Sequence, residues 1–104
     1  MKKINILENL EYGIDKPVLT VLLDNSFIKE IRIVFRKNQE MKAHKSKYPI
    51  TVEVLEGCID FGISGERHLL SKGTLLVLDA SILHDLLATE DSTVRLSIVK
   101  SNPV

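Results

Sequence analysis

The amino-acid sequence predicts an all-β fold built from antiparallel strands, as a barrel or a sandwich. Short apolar segments recur at close spacing, with Gly, Asp, Asn and Ser between them, which is typical of these architectures. No segment carries an apolar stripe of helical period over three turns. The chain has 104 residues, 44% of them hydrophobic, which is enough for one core. We expect one domain over residues 1–104, with N-terminal strands in residues 1–25 and the barrel in residues 26–100.

Two different patterns identify the first predicted strands. The segment 18–23 reads VLTVLL, a β-branched apolar run bounded by Pro17 and by a polar turn. The segment 27–36 alternates in polarity, with Ile33 on one face and Arg32 on the other. An alternation of period two predicts a strand with one face buried and one exposed.

The remaining strands are predicted from apolar runs that end at glycine or at small polar residues. A Gly-Ile-Ser-Gly turn at residues 62–65 predicts a hairpin between two of them. We expect an exposed His68 in the turn region of this hairpin and an outward-facing Cys58. The predicted strands are residues 50–55, 58–63, 66–70, 74–78, 84–88 and 94–99.

Composition and charge pattern indicate which partners and which cellular compartment to expect. The net charge is zero, but residues 29–47 carry seven Lys or Arg. Such a basic segment is usually a solvated surface or a surface that faces another subunit. Because no aromatic residues are interleaved with the basic ones, we expect no nucleic-acid partner. No apolar run approaches the roughly 20 residues of a membrane helix. Polar residues interrupt the stretch that follows the two N-terminal lysines, and the single Cys58 forms no internal disulfide. We therefore expect a cytoplasmic protein without a membrane partner.

Two stretches of the sequence resemble the motifs of the cupin family. Residues 38–57, NQEMKAHKSKYPITVEVLEG, resemble the first motif, with His44 at its first histidine and Gly57 at its closing glycine. Residues 73–88, GTLLVLDASILHDLLA, resemble the second motif, with His84 at its histidine. The resemblance implies a small, single-domain, RmlC-like cupin, whose fold is an antiparallel double-stranded β-helix, or jelly-roll barrel.

The same resemblance implies a metal site that has lost ligands. It implies a divalent transition metal such as zinc, iron, nickel or manganese, held by His44 and His84. Two imidazoles bind such an ion far less firmly than three or four protein ligands do. By strand alternation Glu40 shares a face with His44, which makes it a candidate replacement carboxylate. The motif positions that differ are Asn38 for Gly, Ser46 for His, Ile50 for Glu, Asp79 for Pro, Ser81 for Gly and Ala88 for Asn.

Three hypotheses for function remain open at this point. The first is binding of a small molecule in the barrel cavity without metal, where the two histidines would serve as polar groups or as general acid and base. The second is a metal-dependent cupin enzyme of the dioxygenase or isomerase type that uses His44 and His84. The third is an oligomerising scaffold. The pocket residues expected under the first hypothesis are His44, Ser46, Ile50, Val52, His84 and Leu86.

Apolar residues on both faces of the strands lead to two further expectations. Outward-facing apolar side chains predict a covered second face and a homodimer; they are Ile28, Val34, Leu87 and Val99. Inward-facing apolar side chains predict the lining of the cavity; they are Ile31, Ile33, Val52, Val54, Leu86, Val94, Leu96 and Ile98.

Overall fold

Nine strands and no helix are found in residues 1–100, the part of the chain that the computed structural model describes. The last four residues of the predicted domain lie outside this part. Residues 1–100 accordingly contain no helix long and apolar enough to cross a bilayer. The strands are β1 (Val18–Asp24), β2 (Ile28–Phe35), β3 (Glu40–His44), β4 (Ile50–Glu56), β5 (Cys58–Ile63), β6 (Glu66–Ser71), β7 (Leu75–Leu78), β8 (His84–Ala88) and β9 (Ser92–Val99).

The strands form two antiparallel sheets that pack face to face. Sheet A has five strands in the order β1-β2-β9-β4-β7, and sheet B has four in the order β3-β8-β5-β6. Every pairing is antiparallel, and β5 and β6 form the predicted hairpin. The all-β, antiparallel class predicted from the sequence is therefore confirmed.

Alternating side chains build the core between the sheets. In β4, Ile50, Val52 and Val54 are at most 1% exposed, whereas the intervening Thr51 and Glu53 are only partly buried. This alternation follows from the strand geometry, which points successive side chains to opposite faces. The core therefore comes mainly from the inner faces of β2, β4, β5, β8 and β9.

Strand β2 departs from the predicted half-exposed pattern, because both of its faces are buried over residues 30–35. The segment before β1 crosses the outer face of sheet A. There the Arg32 Nη1 atom donates hydrogen bonds to the backbone oxygens of Ile6 and Glu8, at 3.2 and 3.0 Å. Val34 is only 1% exposed. The expectation that Val34 faces a second subunit is therefore wrong, and Arg32 does not belong to an open basic surface.

A partly buried ion pair lies on the same outer face. Arg95 donates two hydrogen bonds to the Glu30 carboxylate, at 2.9 and 3.1 Å, and the Ser97 hydroxyl donates to it as well. Burial on its own would raise the pKa of Glu30, but the hydrogen bonds from Arg95 and Ser97 and the Arg95 charge hold that pKa below its ordinary value. Glu30 is thus ionised at neutral pH and anchors β2 to β9.

The N-terminal part of the chain contains one strand where we expected several. Residues 1–17 pair with no strand, and only β1 lies within residues 1–25. The physical reason is local, since Pro17 lacks an amide hydrogen and Asn9 has a left-handed φ of 54°. β1 itself pairs with β2, so it belongs to the same sheet as the predicted barrel strands.

Candidate functional site

Strand β3, which was not among the predicted strands, brings His44 and His84 together. The strand of residues 50–55, which follows His44 in the sequence, lies in sheet A and does not pair with β8. β3 instead pairs with β8 in sheet B, where His44 and His84 are directly opposite each other. The two ring centroids are 4.4 Å apart and the ring planes are tilted by 60°. The structure therefore places the two predicted histidines in one site.

A β-bulge in β3 decides which of its side chains faces this site. Met41 lies opposite Leu86 and His44 lies opposite His84, so three residues of β3 span two residues of β8. The extra residue reverses the alternation. Glu40 consequently lies opposite Leu87 and is exposed, which makes the expectation of a replacement carboxylate at Glu40 wrong. Met41 takes the inward position.

The turn before β8 holds the two histidine segments in register. Ser81 has a left-handed φ of 65°, and its backbone N–H donates to the Ser46 oxygen at 2.7 Å. Asn38 has a φ of 75°, and its N–H donates to the Ala88 oxygen at 2.8 Å. These two turns join the ends of β3 to the ends of β8.

Backbone carbonyls determine which ring nitrogen of each histidine carries a proton. The Nδ1 atom of His44 lies 2.7 Å from the Lys42 oxygen, and that of His84 lies 2.8 Å from the Ile82 oxygen. A carbonyl oxygen only accepts, so both Nδ1 atoms must carry hydrogen. In the neutral form of each ring, Nε2 is therefore the atom with a free lone pair.

His84 is held in its neutral form by its surroundings. Its side chain is 2% exposed, and the Phe61 ring stacks on it with centroids 5.6 Å apart. Burial lowers the pKa of His84 and the His44 charge lowers it further, against the opposing effects of the Ile82 carbonyl and Asp85. The Nε2 atom of His84 is buried and has no hydrogen-bond partner within residues 1–100. A buried acceptor without a donor costs about 1–3 kcal/mol.

A cavity of about 320 Å³ lies beside the two imidazoles, with walls from both sheets. Four of the six predicted pocket residues line it, namely His44, Ser46, Ile50 and His84. The other two, Val52 and Leu86, are fully buried in the core and are absent from the lining, because the packed sheets close the barrel below Ile50. The complete lining is Leu19, Ile31, Ile33, Met41, His44, Lys45, Ser46, Ile50, His84, Leu96 and Ile98.

The predicted apolar lining divides in the same way. Four of its members line the cavity, namely Ile31, Ile33, Leu96 and Ile98. The others are core residues with no exposure; they are Val52, Val54, Leu86 and Val94. Sequence reasoning missed Leu19, Met41 and Lys45. Leu19 lies opposite Ile33 on the inner side of β1. The segment VLTVLL has apolar residues on both of its faces, so alternation does not reveal which face is the inner one.

The remaining candidate residues lie outside this site. Cys58 is partly buried next to the inward-facing Ile59. His68 is exposed as expected, but it lies within β6 and not in the turn; its Nε2 atom is 3.2 Å from the Glu66 carboxylate. Asp85 forms an ion pair with Arg67 on the outer face of sheet B, with a shortest distance of 2.7 Å.

The fold has close counterparts among solved structures. An RmlC-like cupin protein from Desulfovibrio desulfuricans superposes with a TM-score of 0.90 and 25% identity, over 96% of this chain and 97% of that one. The chain has the RmlC-like cupin fold. A conserved protein with a double-stranded β-helix domain from Klebsiella pneumoniae gives 0.88 with 15% identity, over 98% and 92% of the two chains.

A third match is to part of a longer chain. A cupin 2 conserved barrel domain protein from Leptotrichia buccalis is 30% identical with a TM-score of 0.85, over 93% of this chain and 47% of that one. No protein-family model matches the sequence, and no curated protein matches it significantly. The double-stranded β-helix expected from the motif resemblance is thus confirmed at the level of fold.

At two cupin motif positions the residue is not the glycine of the motif, but the backbone conformation is still left-handed. Asn38 and Ser81 occupy the positions of motif glycines, and both have a left-handed backbone. Gly57 also has a left-handed φ, of 88°, and a β-carbon there would lie 2.3 Å from the Asp91 oxygen. The turns of the cupin fold are therefore retained although two of the glycines are not.

The ligand set of a cupin metal centre is not retained. Residues 1–100 contain no group of three or more His, Cys, Asp or Glu side chains placed to hold a metal ion. Ile50, at the motif carboxylate position, is an apolar wall of the cavity, and the Ser46 hydroxyl already accepts the Tyr48 N–H at 3.1 Å. Two imidazoles alone do not make a firm site for a divalent ion. The residues present therefore do not fit a resident metal.

Proposed function

We propose that this cupin binds a small organic molecule in the cavity beside His44 and His84, without a resident metal. One observation carries the proposal. The cavity has mainly apolar walls, and its polar groups converge at one end, where the two imidazoles and the Ser46 hydroxyl lie. Apolar walls with a few convergent polar groups are the usual composition of small-molecule sites.

The size of the cavity suits a compact ligand. Its volume of about 320 Å³ is at the lower end of the range for ligand pockets, roughly 300–1,000 Å³. One of its lining residues, Leu19 on β1, is 51% exposed, so the cavity is open to solvent at that point.

Other depressions on the described part of the chain differ from this cavity in their lining. Three of them are lined by side chains of ion pairs, namely Glu30 with Arg95, Glu53 with Arg95, and Asp85 with Arg67. Another, of about 450 Å³, lies along the N-terminal segment, against Leu55. Its lining contains no histidine and no carboxylate. The cavity beside the histidines is the better candidate, because apolar walls from both sheets and the imidazoles of both His44 and His84 occur together there.

The alternative of a metal-dependent dioxygenase or isomerase is less well supported by the donor set. It would require a third ligand beside His44 and His84, and Glu40 lies on the opposite face of β3. Glu53 is also turned away, with its carboxylate 3.8 Å from the Arg95 guanidinium. General acid–base chemistry by the imidazole pair would require no metal.

A thermal-shift screen of small neutral, anionic and cationic compounds tests the proposal. We expect some compounds to raise the melting temperature of the native protein and to lose this effect in Ile98→Phe, because the larger side chain fills the cavity. Val77→Phe is the matched control, since Val77 is 71% exposed on β7 and lies outside the cavity. Stabilisation that persists in Ile98→Phe, or no stabilising compound at all, would contradict the proposal.

A further inference from the structure

Two imidazole nitrogens, the Nε2 atoms of His44 and His84, determine which hydrogen bonds the cavity can make. His44 and His84 commit their Nδ1 hydrogens to the carbonyls of Lys42 and Ile82. In the neutral rings each Nε2 then accepts and does not donate. The Nε2 atom of His84 is buried and has no hydrogen-bond partner within residues 1–100. The residue as a whole is 2% exposed. The polar end of the cavity therefore needs a donor.

The surroundings of the two imidazoles disfavour ions. Lys45 is the only Lys, Arg, Asp or Glu among the lining residues, and its side chain is exposed. A carboxylate beside the imidazoles would bring its lone pairs against theirs, and pairing with the exposed Lys45 would hold it away from the buried Nε2 atom of His84. An ammonium group would find no carboxylate to pair with and would be repelled by Lys45.

We infer that the ligand is a compact, mostly apolar, neutral molecule with a hydroxyl donor, of the phenol or alcohol class, whose O–H donates to Nε2 of the histidine pair. This deepens the proposed function and rests on it. The apolar body of such a ligand packs against Ile33, Met41 and Ile98, which line the same cavity. Nε2 of His84 is closed to solvent, so a donor reaches it only when a neighbouring side chain moves. The His44 ring, whose centroid is 4.4 Å away, is a neighbour that also lines the cavity.

Four probes of similar size separate the possibilities in a calorimetric titration of the native protein. They are 4-ethylphenol, ethylbenzene, 4-methylbenzoate and 4-methylbenzylammonium. We expect 4-ethylphenol to bind about tenfold more tightly than ethylbenzene, the ratio that one hydrogen bond of ordinary net strength provides. We expect binding of the two ions to be weaker than that of the phenol. Equal affinity for ethylbenzene and the phenol, or tighter binding of either ion, would overturn the hydroxyl inference while leaving the binding proposal standing.

Histidine variants and nuclear magnetic resonance identify the acceptor. In His44→Leu the tenfold preference should shrink, whereas His68→Leu, a change of an exposed histidine on β6, should retain it. In the native protein the ¹⁵N resonance of Nε2 in His44 or His84 should shift with 4-ethylphenol and not with ethylbenzene. A bound phenol that shifts neither resonance overturns the inference. If none of the four probes binds and the compound screen also finds nothing, the proposed function itself fails.

Discussion

The imidazole of His84 links the candidate site to the stability of the protein. Its pKa is lowered chiefly by burial, and the facing His44 adds to this, while Asp85 on the same strand opposes it. In the unfolded chain the same ring has an ordinary pKa near 6.5. The unfolded state therefore binds a proton at a higher pH than the folded state does.

Stability should consequently decrease as the pH falls from 7.5 to 5.5. The slope from one such group is at most about 1.4 kcal/mol per pH unit. Urea unfolding at the two pH values should show a smaller loss in His84→Gln than in the native protein. His68→Gln, which changes an exposed histidine, should show the native loss. Equal losses in all three proteins would refute the assignment. The pKa of Glu30 is also lowered, but Glu30 contributes to the pH dependence of stability only at lower pH, near the ordinary range of carboxylates.

Single residues also show how far the site could be predicted from the sequence. His44 and His84 were identified as site residues because they match the histidine positions of the two motifs. Glu40 was placed wrongly, because simple alternation does not reveal the bulge between Met41 and His44. Lys45 and Leu19 were missed as lining residues, since a strand end and an all-apolar strand give no periodic signal.

At the level of strands, alternation in one segment and short apolar runs in the others predicted eight of the nine elements, with ends within about two residues. β3 was missed because it has five residues and carries a bulge. The covering of β2 was also missed. Its cause is a set of hydrogen bonds from Arg32 to backbone oxygens of residues 6 and 8, and backbone acceptors leave no pattern in a sequence.

The connection between β4 and β5 provides a prediction about turn geometry. Gly57 and Gly73 have nearly the same φ, 88° and 89°. A β-carbon at Gly57 would lie 2.2 Å from the Ser92 Oγ atom, whereas one at Gly73 would meet no atom within 4 Å. Gly73→Ala should cost about 1–2 kcal/mol of unfolding free energy through its left-handed backbone alone. Gly57→Ala should cost roughly 1–3 kcal/mol more because of the clash.

Chemical denaturation of both variants measures the difference directly. The two substitutions are matched in backbone strain, so their difference isolates the contact with the segment before β9. Equal destabilisation by the two changes would show that the close approach at Gly57 carries no energy.

For the whole molecule, Val34 cannot belong to the surface expected for the predicted homodimer, because it is 1% exposed within its own chain. The edge strand β1 offers further apolar surface, since Leu19 and Val21 are about half exposed. Unpaired edge strands with apolar side chains favour pairing with a second chain. We predict a dimer mass at micromolar concentration by light scattering, and a shift towards the monomer in Val21→Lys. Val77→Lys, on the other edge strand of sheet A, is the matched comparison, and a monomer mass for the native protein would contradict the prediction.

The absence of a resident metal is the claim on which the account of the whole molecule depends. It follows from the donor set, since Ile50 replaces the motif carboxylate and Glu40 faces away from His44. If a metal were bound firmly, both Nε2 atoms would be occupied and a hydroxyl ligand would have no acceptor. A resident metal and a hydroxyl ligand that donates to Nε2 are therefore mutually exclusive.

Elemental analysis of untagged protein, purified without chelators, tests this claim most directly. A double variant, His44→Ala with His84→Ala, serves as the reference. We predict that zinc, iron, nickel and manganese are all far below one equivalent per chain in both proteins. About one equivalent of any of these metals in the native protein, lost in the double variant, would contradict the account and support the metal-dependent enzyme.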